Sequence, residues 1–135
     1  MMDIYLRDNL ALDHIHWFLS ELFGTSQNHI MLMSLDEFND SWNKHLDFTD
    51  IKCLCVYLKV HGDVSWCLQL YRYSMGDGEL FQALINACIK TAVECYRAYD
   101  DFDQYLLINK HGDTSVVNLI ESENESDGGL VLRAS

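Results

Sequence analysis

The chain has 135 residues, 49% of them apolar and 22% charged, and 21 acidic against 9 basic residues give a net charge of −12. That size fits one domain burying roughly two thirds of its unfolded surface, and the balance is that of a globular protein, which excludes a disordered one. The charge excludes nucleic acid as a direct ligand, because phosphates would be repelled, and makes a basic protein surface the natural complement.

At the amino terminus, Met1–Arg7 carries acid already at Asp3 and no long apolar core follows. Neither a signal peptide nor a membrane span is therefore expected, and cytoplasmic residence is the default. Met2 to Leu6 reads as a short strand. Asp13 is placed to cap a helix over about residues 10–23, whose apolar period of Ile15, Phe18, Leu19 and Leu22 ends at Gly24. His14 and His16 diverge by about 200° on such a helix and cannot chelate together, so they read as surface or capping residues. Trp17 lies opposite the apolar face, either packed under a loop or exposed as a binding anchor.

After the polar loop Thr25–Asn28, the run Ile30-Met31-Leu32-Met33 is short and bounded like a buried strand. Ser34 and Glu37 have capping-box spacing and open a second helix. Leu35, Phe38, Trp42 and Leu46 share one of its faces, while Asp36, Glu37, Asp40, Lys44 and Asp47 share the other. A hairpin is expected next, turning through His61-Gly62-Asp63 with Val60 opposite Val64. That register collects Leu54, Val56, Leu58, Val60, Val64, Trp66, Leu68 and Leu70 on one face, and a one-residue slip would mix the two faces.

Asp77 is expected to cap a long helix to about Tyr99, with Phe81, Leu84, Ile85, Cys88, Ala92, Cys95, Tyr96 and Tyr99 as its apolar stripe and Lys90, Glu94 and Arg97 opposite. A second hairpin follows, Gln104–Lys110 and Thr114–Ile120, turning through His111-Gly112-Asp113. The pattern predicts an α+β fold: a mainly antiparallel sheet with two β-hairpins and about three helices packed on it. Residues 1–120 form the single domain, and 121–135 an acidic C-terminal tail in which Leu130-Val131-Leu132 could add an edge strand.

The repeated His-Gly-Asp invites a metal site from His61, Asp63, His111 and Asp113. Gly and Asp are, however, what tight loops require, and three matching residues are weak evidence of duplication. Cys53 and Cys55 share a strand face with Cys67 near them, but C-x-x-C knuckles are absent; the five cysteines, odd in number and set in apolar runs, read as reduced core thiols. Gly76-Asp77-Gly78 opens a helix without a nearby base to favour an anion. No G-x-S-x-G elbow, phosphate-binding glycine loop or H-E-x-x-H occurs, so no catalytic residue, metal or cofactor is expected.

Acidic side chains near a helix N-terminus, such as Asp36 and Glu37, are accounted for by the helix dipole. Asp47 and Asp50, and the cluster Asp100, Asp101 and Asp103 after the long helix, are placed against it. With its small acidic α+β domain, its Asp36–Asp50 ridge, its Asp100–Asp103 cluster and no catalytic motif, the chain resembles the immunity proteins that bacteria pair with polymorphic toxins, including those of contact-dependent inhibition. The resemblance is of overall type and rests on no specific motif. It implies a protein that is not an enzyme and that binds and neutralises a cognate toxin domain, a basic nuclease in particular, through Asp36, Asp40, Asp47, Asp50, Asp100, Asp101, Asp103 and Trp17. Neither direct nucleic-acid binding nor a membrane is expected, and the oligomeric state stays open. Two alternatives remain: a phage or plasmid inhibitor or nucleic-acid mimic directed at a host enzyme, and a metal-dependent enzyme using the His-Gly-Asp loops.

Overall fold

A computed structural model describes residues 2–41, 49–98, 104–119, 129–130 and 132–134. Strands β1 (Met2–Leu6), β2 (Ile30–Ser34), β3 (Cys53–Lys59), β5 (Trp66–Leu70), β6 (Cys95–Ala98), β7 (Gln104–Ile108), β8 (Thr114–Leu119) and β10 (Leu132–Ala134) form one sheet in the order β10-β8-β7-β6-β1-β5-β3-β2. All neighbours are antiparallel except β2 and β3. A two-residue pair, β4 (His61–Gly62) with β9 (Gly129–Leu130), stands apart from it. Helices α1 (Leu12–Phe23), α2 (Leu35–Asp40) and α3 (Asp77–Thr91) complete an α+β fold. No helix among the described residues is long and apolar enough to cross a membrane.

The main core lies between the α1/α3 layer and one sheet face. Ile15, Phe18, Leu19 and Leu22 of α1 and Leu80, Leu84, Ala87 and Cys88 of α3 close on Ile4, Leu6, Cys53, Cys55, Leu68, Leu70, Cys95 and Ile108. The other face is covered in two places. Leu35 and Phe38 of α2 pack on Met33, Leu54, Val56 and Tyr71, and Val60 and Val64 pack on Tyr5, Tyr96, Tyr105, Leu107 and Val117. Parallel neighbours need a crossover rather than a tight turn, and α2 supplies it between β2 and β3.

Several local signals act as expected. Ser34 and Glu37 form both halves of the capping box, at 3.1 and 3.0 Å, and Gly24 ends α1 at φ 60. The N-terminal signals of α1 and α3 differ from expectation by a residue or two. The N-cap of α1 is Ala11 and that of α3 is Gly76, so Asp13 and Asp77 are inside the helices rather than at their caps; in the first turn of α1 the positive helix end favours the Asp13 carboxylate. The second half of the expected second helix, with Trp42, Leu46 and Asp47, lies outside the described residues.

The first hairpin forms in the register that the sequence disfavours. Leu58 is opposite Cys67 and Lys59 opposite Trp66, and Val60 N–H donates to Ser65 O at 3.1 Å, so Val60 faces Ser65 and not Val64. The core side of β3 is thus Cys53, Cys55 and Tyr57, while Leu54, Val56 and Leu58 face away. The slip costs little because both faces are covered: Leu54 and Val56 find their own apolar cluster under α2. It also sends Cys67 to the face opposite Cys53 and Cys55. His61-Gly62 is not a tight turn but pairs with Gly129-Leu130, unlike the second His-Gly-Asp. There Asn109 accepts through its side chain from the N–H groups of His111 and Asp113, at 2.9 and 3.0 Å, and strand β10 adds to the edge of β8.

The long helix is shorter than its periodicity predicts. It stops at Ala92, the one non-glycine residue at positive φ among those described, 57°, and Cys95 to Ala98 form β6. The stripe Cys88, Cys95, Tyr96 fits a helix and a strand alike, and β6 wins because β1 and β7 satisfy its backbone on both sides. The reversal leaves the Cys88 and Cys95 sulfurs 3.6 Å apart, both buried. Ala92→Gly relieves the left-handed strain, less the entropy gained by the unfolded chain, and is expected to stabilise the fold by about 1 kcal/mol in urea titration.

Candidate functional site

The acidic residues are best followed along the crossover from β2 to β3. Asp36 is in the first turn of α2, where the dipole favours it, and Asp40 is its last residue, where the dipole does not. Asp50 lies in the turn before β3. That turn is tied down by His29, whose Nδ1–H donates to the Asp50 carbonyl at 2.7 Å while Lys52 N–H donates back to His29 O at 2.7 Å. Asp36, Asp40 and Asp50 are all exposed, and none forms an ion pair among the described residues, in contrast to Glu94, 3.2 Å from Arg7, and Glu21, 3.0 Å from Lys90.

Trp17 does not join them. It is 39% exposed, with its ring 5.6 Å from that of His14, but α1 covers one sheet face and α2 the other. One flat partner surface cannot meet Trp17 and the α2 acids together. His14 and His16 are tethers rather than free surface groups: His14 Nε2–H donates to Thr91 O at 2.6 Å, joining α1 to α3, and His16 Nε2 is 2.9 Å from Gln27 O and 3.1 Å from Ile30 O. Asp47, Asp100, Asp101 and Asp103 lie outside the described residues. Since α3 ends at Thr91, it does not reach the last three, and the argument that set them against its dipole falls.

A second arrangement was not read from the sequence. Where β1 starts, β6 ends and β7 starts, a cavity of about 350 Å³ is lined by Asp3, Tyr5, Tyr73, Arg97, Ala98 and Tyr105. Tyr5 and Tyr105 meet edge to face, centroids 5.9 Å apart. Asp3 is half-buried, yet its Oδ1 is shielded from solvent and has no hydrogen-bond partner among the described residues. Desolvation raises its carboxyl above the usual range, and the positive amino terminus partly offsets this. Burial, with Cys67, Tyr105 and Asp3 nearby, likewise raises the Tyr5 phenol well above its ordinary value, so it stays protonated. Across the strand pair, burial and then Asp3 push the Cys67 thiol up to about 12.

Such thiols are poor nucleophiles and poor metal ligands, because the thiolate is the reactive form. All five cysteines are free and buried. Among the described residues no group of three or more His, Cys, Asp or Glu side chains could hold a metal ion. The period-2 alternation of β1 did put Asp3 and Tyr5 on one face, but their approach to Tyr105 requires the strand order. No family model, curated protein or solved structure matches the chain.

Proposed function

We propose that the chain is an inhibitor of the immunity-protein kind, which binds a basic toxin domain through the acidic surface of the β2–α2–β3 crossover. The observation that carries this reading is that Asp36, Asp40 and Asp50 are exposed and form no ion pair among the described residues. Exposed carboxylates that are not neutralised in an ion pair raise the potential over that face, which speeds the encounter with a cationic partner and selects against anionic ones. The net charge of −12 adds to the same field. A reducing cytoplasm suits the five free thiols.

The test is titration against the purified product of the adjacent gene at two salt concentrations, with wild type and the double variant Asp40→Lys, Asp50→Lys. Asp36 is left in place because lysine there would oppose the helix dipole and confuse folding with binding. The expected result is about 10- to 100-fold weaker binding with a shallower salt dependence and an unchanged circular dichroism spectrum. Equal affinity and equal salt dependence would remove this surface from the interface.

A further inference from the structure

We propose that Cys88 and Cys95 are a latent disulfide site: hydrogen peroxide joins this pair, and no other pair of the five cysteines, in a bond that ties α3 to β6. The first argument is distance. The two sulfurs are 3.6 Å apart, in van der Waals contact, with one thiol donating weakly to the other. A disulfide needs about 2.0 Å, so each sulfur has to move by less than about 1 Å, which rotation about each Cα–Cβ bond supplies.

The second argument is that the backbone already holds both residues in place. The Cys88 carbonyl accepts from the N–H groups of Ala92 and Val93, so the tight reversal after α3 starts from Cys88 itself. Cys95 is set in the ladder between Leu6 of β1 and Ile108 of β7, and both side chains belong to the main core. The other three thiols are placed against such a bond. Cys53 and Cys55 are two apart on β3, about 6.6 Å along a strand with parallel side chains, whereas a disulfide brings Cβ atoms to about 4 Å. Cys67 is on the opposite face of the sheet from them, and β3 is three strand spacings, about 14 Å, from β6.

The chemistry balances with peroxide as the only oxidant. One sulfur, as its thiolate, attacks a peroxide oxygen; the O–O bond breaks, and the released hydroxide takes up the thiol's proton and leaves as water. The neighbouring sulfur attacks the sulfenic acid so formed, the S–O bond breaks, and a second water leaves with that thiol's proton as the S–S bond forms. Two thiols lose two electrons, and one peroxide becomes two waters. Contact with Cys88 and then burial hold the Cys95 thiol well above its usual range. Since the thiolate is the reactive form, the reaction is slow, and it favours a water-sized oxidant over a bulky disulfide. The site is independent of the acidic crossover, and its failure would leave that reading untouched.

The test is exposure of the folded full chain to about 1 mM hydrogen peroxide for about a day, then removal of peroxide, alkylation in denaturant and peptide mass mapping. The proposal expects a single cross-link, between the peptides that carry Cys88 and Cys95, and a return to five alkylated thiols on reduction. The oxidised form should melt higher by about 5 °C or more, because the bond closes a loop in the unfolded chain. Reduction should reverse that shift, which separates it from methionine oxidation. Cys53→Ala is expected to keep the cross-link, whereas Cys88→Ala and Cys95→Ala each lose it. Should the last two fail to fold, mapping of the wild type decides alone. Five unmodified thiols, a cross-link between any other pair or between chains, or sulfinic acid at Cys88 or Cys95 in place of the disulfide overturns the proposal.

Discussion

Cys55→Asp is expected to abolish folding, whereas Leu58→Asn, three residues along the same strand, is expected to cost about 1–2 kcal/mol. Cys55 is 0% exposed and is opposite Leu70 in the core beneath α1 and α3. An ionised carboxylate there would lose its hydration with no cation to pair with, a penalty of several kcal/mol against a total stability of about 5–15 kcal/mol. Leu58 is half-buried on the opposite face, where an amide reaches water. Soluble yield and urea unfolding of the two variants read the difference. Had Val60 faced Val64, Leu58 would point to the face of Leu68 and Leu70, and the two variants would exchange outcomes.

A second pair of neighbours separates the core from the surface of α1. Phe18→Ala is expected to destabilise the protein by about 3–5 kcal/mol, because Phe18 is 0% exposed and is among the largest side chains of the main cluster. The cavity it leaves lies between two helices and a sheet, none of which can collapse into it alone. Trp17→Ala, one residue earlier, is expected to change stability by no more than about 1 kcal/mol, the loss of a half-exposed ring and its contact with His14. Thermal and urea unfolding measure both. Because Trp17 is on the sheet face remote from α2, its replacement should also leave binding that depends on Asp40 and Asp50 unaltered, and a large loss of that binding would show that the partner wraps around the edge of the sheet.

Most of the helical framework was legible in the sequence. The stripe of α1, the stop at Gly24 and the box of Ser34 with Glu37 rest on contacts within a few residues, so neighbouring positions suffice to reveal them. The end of α3 was not legible, because Cys88, Cys95 and Tyr96 fall on one side of a helix and also suit a half-buried strand; only β1 and β7, distant in the chain, decide between them. Of the anticipated binding residues, Asp36, Asp40 and Asp50 share the crossover from β2 to β3, while Trp17 is separated from them by the thickness of the sheet.

The cavity shows the same division. Asp3 and Tyr5 alternate on β1 in a way that anyone can read, but Arg97 and Tyr105 are brought to them by a strand order in which the amino-terminal strand pairs with β5 on one side and β6 on the other. By itself the sequence determined the charge, the capping box of Ser34 with Glu37, the stop at Gly24, the class of fold and the isolation of the thiols in apolar runs, because each depends on composition or on bonds between near neighbours. The tertiary structure alone decided the hairpin register, the end of α3 and the meeting of Asp3 with the tyrosines. The reason is that both faces of β3 are apolar and both faces are covered, so local patterning has no preference, and the placement of α1, α2 and α3 over the sheet sets which side becomes the main core.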